Sequence, residues 1–320
     1  MRSGCRLRSL SFGAREAGHD MAATKYHGGG HEIIPSHPMN KNVVARGRSS
    51  VTDRDPATSL PALAKQIRLA ILHGSKRANV GHIGSALSVT DIIAALYGQV
   101  LRVPAPDDPQ RDRFILSKGH AALALYAALR ARDWIDDETL AGYCRDHTFA
   151  GVHPDHHLPG IDFSTGSLGQ GLSFGAGAAL AAKLSGADRR VYVLLSDAEC
   201  NEGSVWESVM FAAQHRLSNL VAIVDVNGQQ ALDHTHRVLD LSPLESRWSA
   251  FGWQTHVVDG HDLEQLTATL TCDAASAAPH VVVARTVFGK GVSFMEGQIK
   301  WHYMSMNDDE YQLALEQVDR

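Results

Sequence analysis

Asp197 and Asn227 each close an apolar run, VYVLLSD and LVAIVDVN, about thirty residues apart. An apolar strand that ends in Asp, a small residue and then an acidic helix start sets a carboxylate at the top of an α/β sheet. A second parallel strand ending in Asn adds an amide oxygen beside it. One carboxylate and one amide oxygen, with room left for phosphate and water, suit Mg²⁺, which is octahedral and seldom caged by protein alone. Ligands of open α/β sheets bind in the crevice at the carboxyl ends of the strands. Taken alone, the pair also reads as an ordinary strand end and a turn former, so the surrounding residues must decide.

Those residues are histidines in glycine-rich loops: NVGHIGSALS (79–88), FILSKGHAALALY (114–126), GVHPDHHLPGIDFSTGSLGQGLS (151–173) and a later GKGVSF…WH (289–302). Neutral imidazoles donate or accept hydrogen bonds and titrate near working pH, so they can move protons on a substrate rich in hydroxyls. Glycine-rich loops bring backbone N–H groups close to anionic oxygens, and a helix starting near Glu202–Ser204 adds its dipole. His156, His157, His234, His236 and His261 read as solvated or structural. Trp206 and Trp301 read as packing residues, and Cys200 as a space-filler.

In order and spacing these segments, with SDAECNEGSVWES (196–208) and VDVNGQQ (224–230), resemble the transketolase family over roughly residues 60–318. The strand-end pair is similar to the thiamine diphosphate motif, GDG followed by about thirty residues and N. Ser196 and Ala198 stand where that motif has glycine, and Ala tolerates positive φ poorly. The resemblance implies thiamine diphosphate and Mg²⁺ as cofactors. It implies that Asp197, Asn227 and the backbone carbonyl of Gln229 hold the metal, and that His120 and His302 reach the diphosphate. Tyr303 replaces the glycine usual after His302. His82 and His153 would contact substrate hydroxyls, with VHPD standing for the more frequent GHPE. Gly166 and Leu168 would meet the aminopyrimidine and prop the thiazolium, and Ala198 would line the cofactor site. Glu202 is either a first-turn acid favoured by the helix dipole or a residue reaching across a subunit interface.

A full transketolase continues for another domain pair, so the chain looks like the N-terminal, diphosphate-binding subunit of a split enzyme. The implied partner is a C-terminal pyrimidine-binding subunit carrying the cofactor-activating glutamate and the arginines that grip substrate phosphate. Closed two-fold assembly then favours an α₂β₂ tetramer, with the surface at 164–174 in the interface. The implied reaction is transfer of a two-carbon ketol unit from a ketose phosphate to an aldose phosphate. Two other readings stand beside it: the alpha subunit of a thiamine-dependent 2-oxoacid dehydrogenase, and a catalytically silent scaffold subunit. The LSKGH and VHPD…TGSLGQG loops favour the first.

The elements that must position these residues follow from periodicity. Leu60, Leu63, Ile67 and Ile71 recur at helical spacing and predict a helix ending near Gly74. VTDIIAALYGQVL predicts a second, and a small-residue helix is expected over 170–185. Strands at 191–195, 220–226, 254–258 and 280–285 alternate with helices at 203–216, 242–250 and 262–272 before a last helix at 307–318. That alternation predicts a mainly parallel sheet covered on both faces over residues 58–320; the resemblance implies that this is the three-layer α/β/α thiamine diphosphate-binding fold. The stretch 142–171 is too long for an ordinary connector and reads as a functional loop. Residues 1–57 are rich in Arg, Gly, Ser, His and Pro and read as a disordered extension, with Met21 a candidate initiator. His19, His27, His31 and His37 there carry little weight as a metal site.

Bulk properties narrow the class. At 320 residues the chain can bury a sizeable core. Thirty basic against 35 acidic residues give a net charge of −5, which argues against a nucleic-acid surface. No apolar run reaches membrane-spanning length. Cys5, Cys144, Cys200 and Cys272 show no metal or redox spacing and fit a reducing cytoplasm.

Overall fold

The computed structural model describes residues 59–271 and 277–319. The expected N-terminal extension, with its histidines and Cys5, lies outside the described residues, as does Cys272.

In chain order the elements are α1 (Leu60–Ala78), α2 (Ile83–Ser88), α3 (Thr90–Ala95), β1 (Arg113–Leu116), α4 (Ala122–Ala131), α5 (Asp137–Ala141), α6 (Gly171–Ser185), β2 (Val191–Ser196), α7 (Gly203–Gln214), β3 (Leu220–Val226), α8 (Thr235–Val238), α9 (Leu244–Ala250), β4 (Gln254–Asp259), α10 (Leu263–Thr271), β5 (His280–Arg285), α11 (Lys300–Tyr303) and α12 (Asp308–Asp319). The five strands form one wholly parallel sheet in the order β1-β2-β3-β5-β4. β2 and β3 are neighbours, paired from Val191↔Leu220 to Ser196↔Asp225. Asp197 and Asn227 therefore leave the same end of adjacent strands.

β1, β2, β3 and β5 are buried and their side chains alternate between two cores, while β4 is a part-exposed edge strand. Phe114, Leu116, Tyr192, Leu194, Val221 and Ile223 face a layer built from α1 to α4, α10 and α12. Ile115, Val191, Val193, Leu195, Ala222 and Val224 face α6, α7 and α9. This period-2 split of continuous apolar runs is what a parallel sheet covered on both sides requires. The small residues of α6 let it lie close on the sheet: a Cβ at Gly175 would fall 2.4 Å from Val193 Cγ2.

Two boundaries differ from expectation. α1 runs on past Gly74 to Ala78 and ends at Asn79, which takes the left-handed conformation (φ 54°). Gly74 is a packing residue, since a Cβ there would fall 2.9 Å from Leu123 Cδ1. The helix expected from Val89 instead begins earlier, at Ile83. It breaks at Val89 (φ −93°, ψ 0°), resumes as α3 and closes in a π turn over Leu96–Val100. At this break Thr90 Oγ1 bonds back to the Ala86 carbonyl (3.2 Å), a local alternative to the regular ladder.

Candidate active site

Three imidazoles meet above the sheet. His82 precedes α2, His120 follows β1 and His302 lies on α11. Their ring centroids are 5.3 Å (His82–His120), 5.1 Å (His82–His302) and 5.6 Å (His120–His302) apart. The His82 backbone sits at φ 62°, a conformation that costs a non-glycine residue energy and persists only where its surroundings over-determine it. They do: His82 N donates to the His302 carbonyl at 3.0 Å, and the His82 carbonyl accepts from Ala86 N at 3.1 Å. α2 is seated against Phe288, whose ring would lie 2.1 Å from a Cβ at Gly84. Phe288 in turn stacks on His302 at 6.2 Å.

The cluster is electrically set toward neutral rings. Burial pushes all three histidines below the ordinary imidazole range, His302 to about 4. The positive charge of buried Lys118 pushes each of them the same way. His153, the fourth expected histidine, is also lowered by burial, and its charge acts on His82 and His120. Its ring packs on Gly166, where a Cβ would come 2.9 Å from His153 Cγ; φ there is 146°. Tyr126 Oη anchors the His153 carbonyl at 2.8 Å. Half-buried Leu168 follows in the same loop.

The strand ends carry the oxygen donors. Asp197 Oδ1 accepts from Ala198 N and Oδ2 from Gly228 N, both at 2.9 Å. Asn227 Oδ1 accepts from Gln229 N at 3.0 Å. Gln229 forms an isolated antiparallel bridge with His234 through its flanking groups, Gln230 N to the Asp233 carbonyl and Thr235 N to the Gly228 carbonyl. In such a pair the residue's own carbonyl points out of the ladder. Desolvation first, and then the charge of Asp225, push the Asp197 carboxyl up to about 7.

The set fits a diphosphate and a hard divalent cation. One carboxylate, one amide oxygen and one outward carbonyl are oxygen donors of the kind Mg²⁺ takes, and a cation would relieve the desolvated Asp197. His82 Nδ1 and His302 Nδ1 are buried and find no partner among the described residues. Buried polar groups normally have one, so these nitrogens suit a polar ligand.

The departures from glycine have a local explanation. Neither Ser196 nor Ala198 has positive φ; Ser196 ends β2 and Ala198 opens a 3₁₀ turn. Ser196 Oγ accepts from Glu199 N (3.0 Å), and Glu199 Oε2 accepts from Ser196 N (3.2 Å). This is the reciprocal S-x-x-E capping box. Fully buried Glu199 also accepts from Gly169 N (2.8 Å) and Ser117 Oγ, tying the histidine loop after β1 and the TGSLGQG loop to the strand end. Burial pushes its carboxyl up. The S-x-x-E spacing was the available signal for Glu199.

Lys118 and Asp225 were also missed. They form an ion pair of 2.5 Å with no exposure on either side chain. A charged residue inside the apolar run LVAIVDV was the sign, because Asp is almost never fully buried unpaired.

Other assignments fall as follows. Exposed Glu202 is the N-cap of α7, without a side-chain capping bond. Cys200 is fully buried, and its thiol is pushed well up by desolvation. Trp301 is buried, and Trp206 Nε1 donates to the Cys200 carbonyl at 2.8 Å. His261 is structural, bonded to Asp91 (2.8 Å) and to Val287 N (2.8 Å).

Fold and site together define a thiamine diphosphate-binding α/β domain. The family described as transketolase, thiamine diphosphate binding domain, matches residues 61–318, and the chain belongs to that family. It is 40% identical over 245 residues to an apulose-4-phosphate transketolase subunit of Phocaeicola vulgatus, covering 76% of this chain and 87% of that protein. It is 36% identical over 261 residues to a 6-deoxy-6-sulfo-D-fructose transketolase subunit of a Clostridium species, covering 80% and 95%. The Pichia stipitis transketolase solved in complex with sedoheptulose 7-phosphate superposes with a TM-score of 0.75 at 26% identity, over 81% of this chain and 40% of that one. The chain thus spans about two fifths of that transketolase and nearly all of the two subunits.

Proposed function

We propose that this chain is the diphosphate-binding subunit of a two-subunit, cytoplasmic transketolase that moves a two-carbon ketol unit between sugar phosphates. The observation that carries the reading is the convergence of His82, His120 and His302, two of them with buried nitrogens that find no partner among the described residues, around Lys118, which pairs with Asp225 two residues before Asn227. The relatives named as transketolase subunits support the division into two chains. Among the described residues, no helix is long and apolar enough to cross a membrane.

When bound, thiamine diphosphate supplies the electron sink for breaking and remaking a carbon–carbon bond beside a carbonyl. Asp197, Asn227 and the Gln229 carbonyl hold Mg²⁺. His120 and His302, kept neutral, present ring N–H groups to the diphosphate without bringing a second proton. His82 and His153 hold and move protons at substrate hydroxyls. Gly166 and Leu168 support the cofactor rings, and Ala198 lines the diphosphate end. The pyrimidine-binding partner docks over the 164–174 surface, where Phe174 is 37% exposed, with Met210 (50%) and Phe211 (40%) exposed on α7. Two-fold pairing gives an α₂β₂ assembly.

The test is two-carbon transfer from a ketose phosphate to an aldose phosphate, with thiamine diphosphate and Mg²⁺. Activity should require mixing with a second, pyrimidine-binding chain. Robust transfer by the chain alone would overturn the two-subunit reading, and pyruvate decarboxylation without ketol transfer would overturn the reaction.

A further inference from the structure

A side-chain amide serves a cation in one orientation only: its oxygen binds, and its NH₂ repels. The Asn227 amide has its nitrogen turned inward. Nδ2 donates to Asp225 Oδ2 at 2.9 Å, while Oδ1 lies on the side of the 228–229 turn, whose Gly228 N–H reaches Asp197. Asp225 is fully buried, two residues earlier on β3. Its Oδ2 also accepts from Lys118 Nζ (2.5 Å) and Ser88 Oγ (2.8 Å), and its Oδ1 accepts from Thr286 Oγ1. Three of these four donors converge on Oδ2, the oxygen that faces the Asn227 amide, and one reaches Oδ1. They arrive from α2, from the loop after β1, from the end of β3 and from the residue after β5.

Asp225 lies close enough to act electrostatically on Asp197, and its Oδ2 is crowded by donors. A carboxylate paired with lysine also accepts hydrogen bonds and donates none, so only the NH₂ end of an amide can face it. We infer that Asp225, neutralised by Lys118, is the positioning residue of the metal centre: it locks the Asn227 amide with nitrogen inward and oxygen outward. The inference rests on the proposed metal role of Asp197 and Asn227.

The test uses Mn²⁺ as the probe, titrated by electron paramagnetic resonance in the assembled enzyme with thiamine diphosphate. Asp197→Asn reports on the metal reading itself, and unchanged Mn²⁺ affinity there would sink that reading and this one with it. The pair Lys118→Met with Asp225→Asn removes both buried charges together. It should weaken Mn²⁺ by about ten- to hundredfold, as removal of an outer partner of a metal ligand does. Adding Asn227→Asp to that pair should restore affinity to within about threefold, because a carboxylate presents oxygen at either end. A merely structural role predicts no rescue. Full affinity in the double variant, or no recovery in the triple one, overturns the proposal while leaving the Asp197 result intact. One measurement needs no variant: the Asn227 side-chain NH₂ protons should exchange slowly with solvent in the wild-type chain, with and without Mg²⁺. Fast exchange in the metal-free chain would also overturn it.

Discussion

Asp197 combines a buried carboxyl, pushed up to about 7, with the proposed role of binding a cation. A group raised in the folded state stabilises below its unfolded pKa, and that contribution is lost as pH rises through the folded value. Without metal, Asp197 should therefore cost the chain stability between about pH 4 and pH 7. Asp197→Asn should flatten that part of the curve and abolish Mg²⁺-dependent cofactor binding; thermal melts at pH 5 and pH 8 without metal, with calorimetry for the cofactor, check both effects. His153→Ala should reduce ketose turnover by a contact worth about 1–3 kcal/mol, with cofactor affinity nearly kept. A collapse of cofactor binding with normal turnover per bound cofactor would reverse that assignment. At this scale what was legible was placement: Asp197 and Asn227 were read at strand ends, where the structure has them, and three of the singled-out histidines meet. Lys118, Asp225 and Glu199 were not read, because their roles depend on burial and on partners 82 to 107 residues away in sequence.

Among the elements, α2 does the most positioning for its length. It places His82 at one end and Ser88 at the other, and it rests on Phe288 at Gly84. Gly84→Ala would drive a methyl group into that ring and, through it, disturb His302. We expect a stability loss of about 1–3 kcal/mol from overpacking together with weaker cofactor binding. Denaturant melts and calorimetry measure the two, and a variant as stable as wild type would show that Phe288 can move freely. Strand positions were readable because buried parallel strands are continuous apolar runs; β3 and β5 match expectation residue for residue. α2 was hidden because Gly and His dominate its start, and local composition there resembles a loop.

Across the whole molecule, the lowered histidines set an acid limit. A depressed folded pKa contributes stability present above the unfolded value, about 6.5, and lost as pH falls through the folded one. His82, His120, His153 and His302 all act in that direction, with His302 titrating near 4. The chain should lose stability progressively as pH falls below about 6.5, the His302 contribution being gone below about pH 4. His302→Asn should shallow the slope, and melts across that range decide it. The three-layer architecture followed from strand and helix alternation alone. The meeting of His82, His120 and His302 did not, since it depends on strand order.

The Ser196–Glu199 box couples two positions unequally. With Glu199 lost, Ser117 Oγ, Gly169 N and Ser196 N lose their buried acceptor; with Ser196 lost, only the Glu199 N–H is left unpaired. A lineage drifting toward a glycine at 196 can therefore take that step first, but not the step at 199. Ser196→Gly should cost about 1 kcal/mol and Glu199→Ala several times more. The two losses should fall short of additive in the double variant, as expected of partners in one network. The strand end would then be lopsided: the serine can be lost at small cost, whereas the glutamate cannot leave alone.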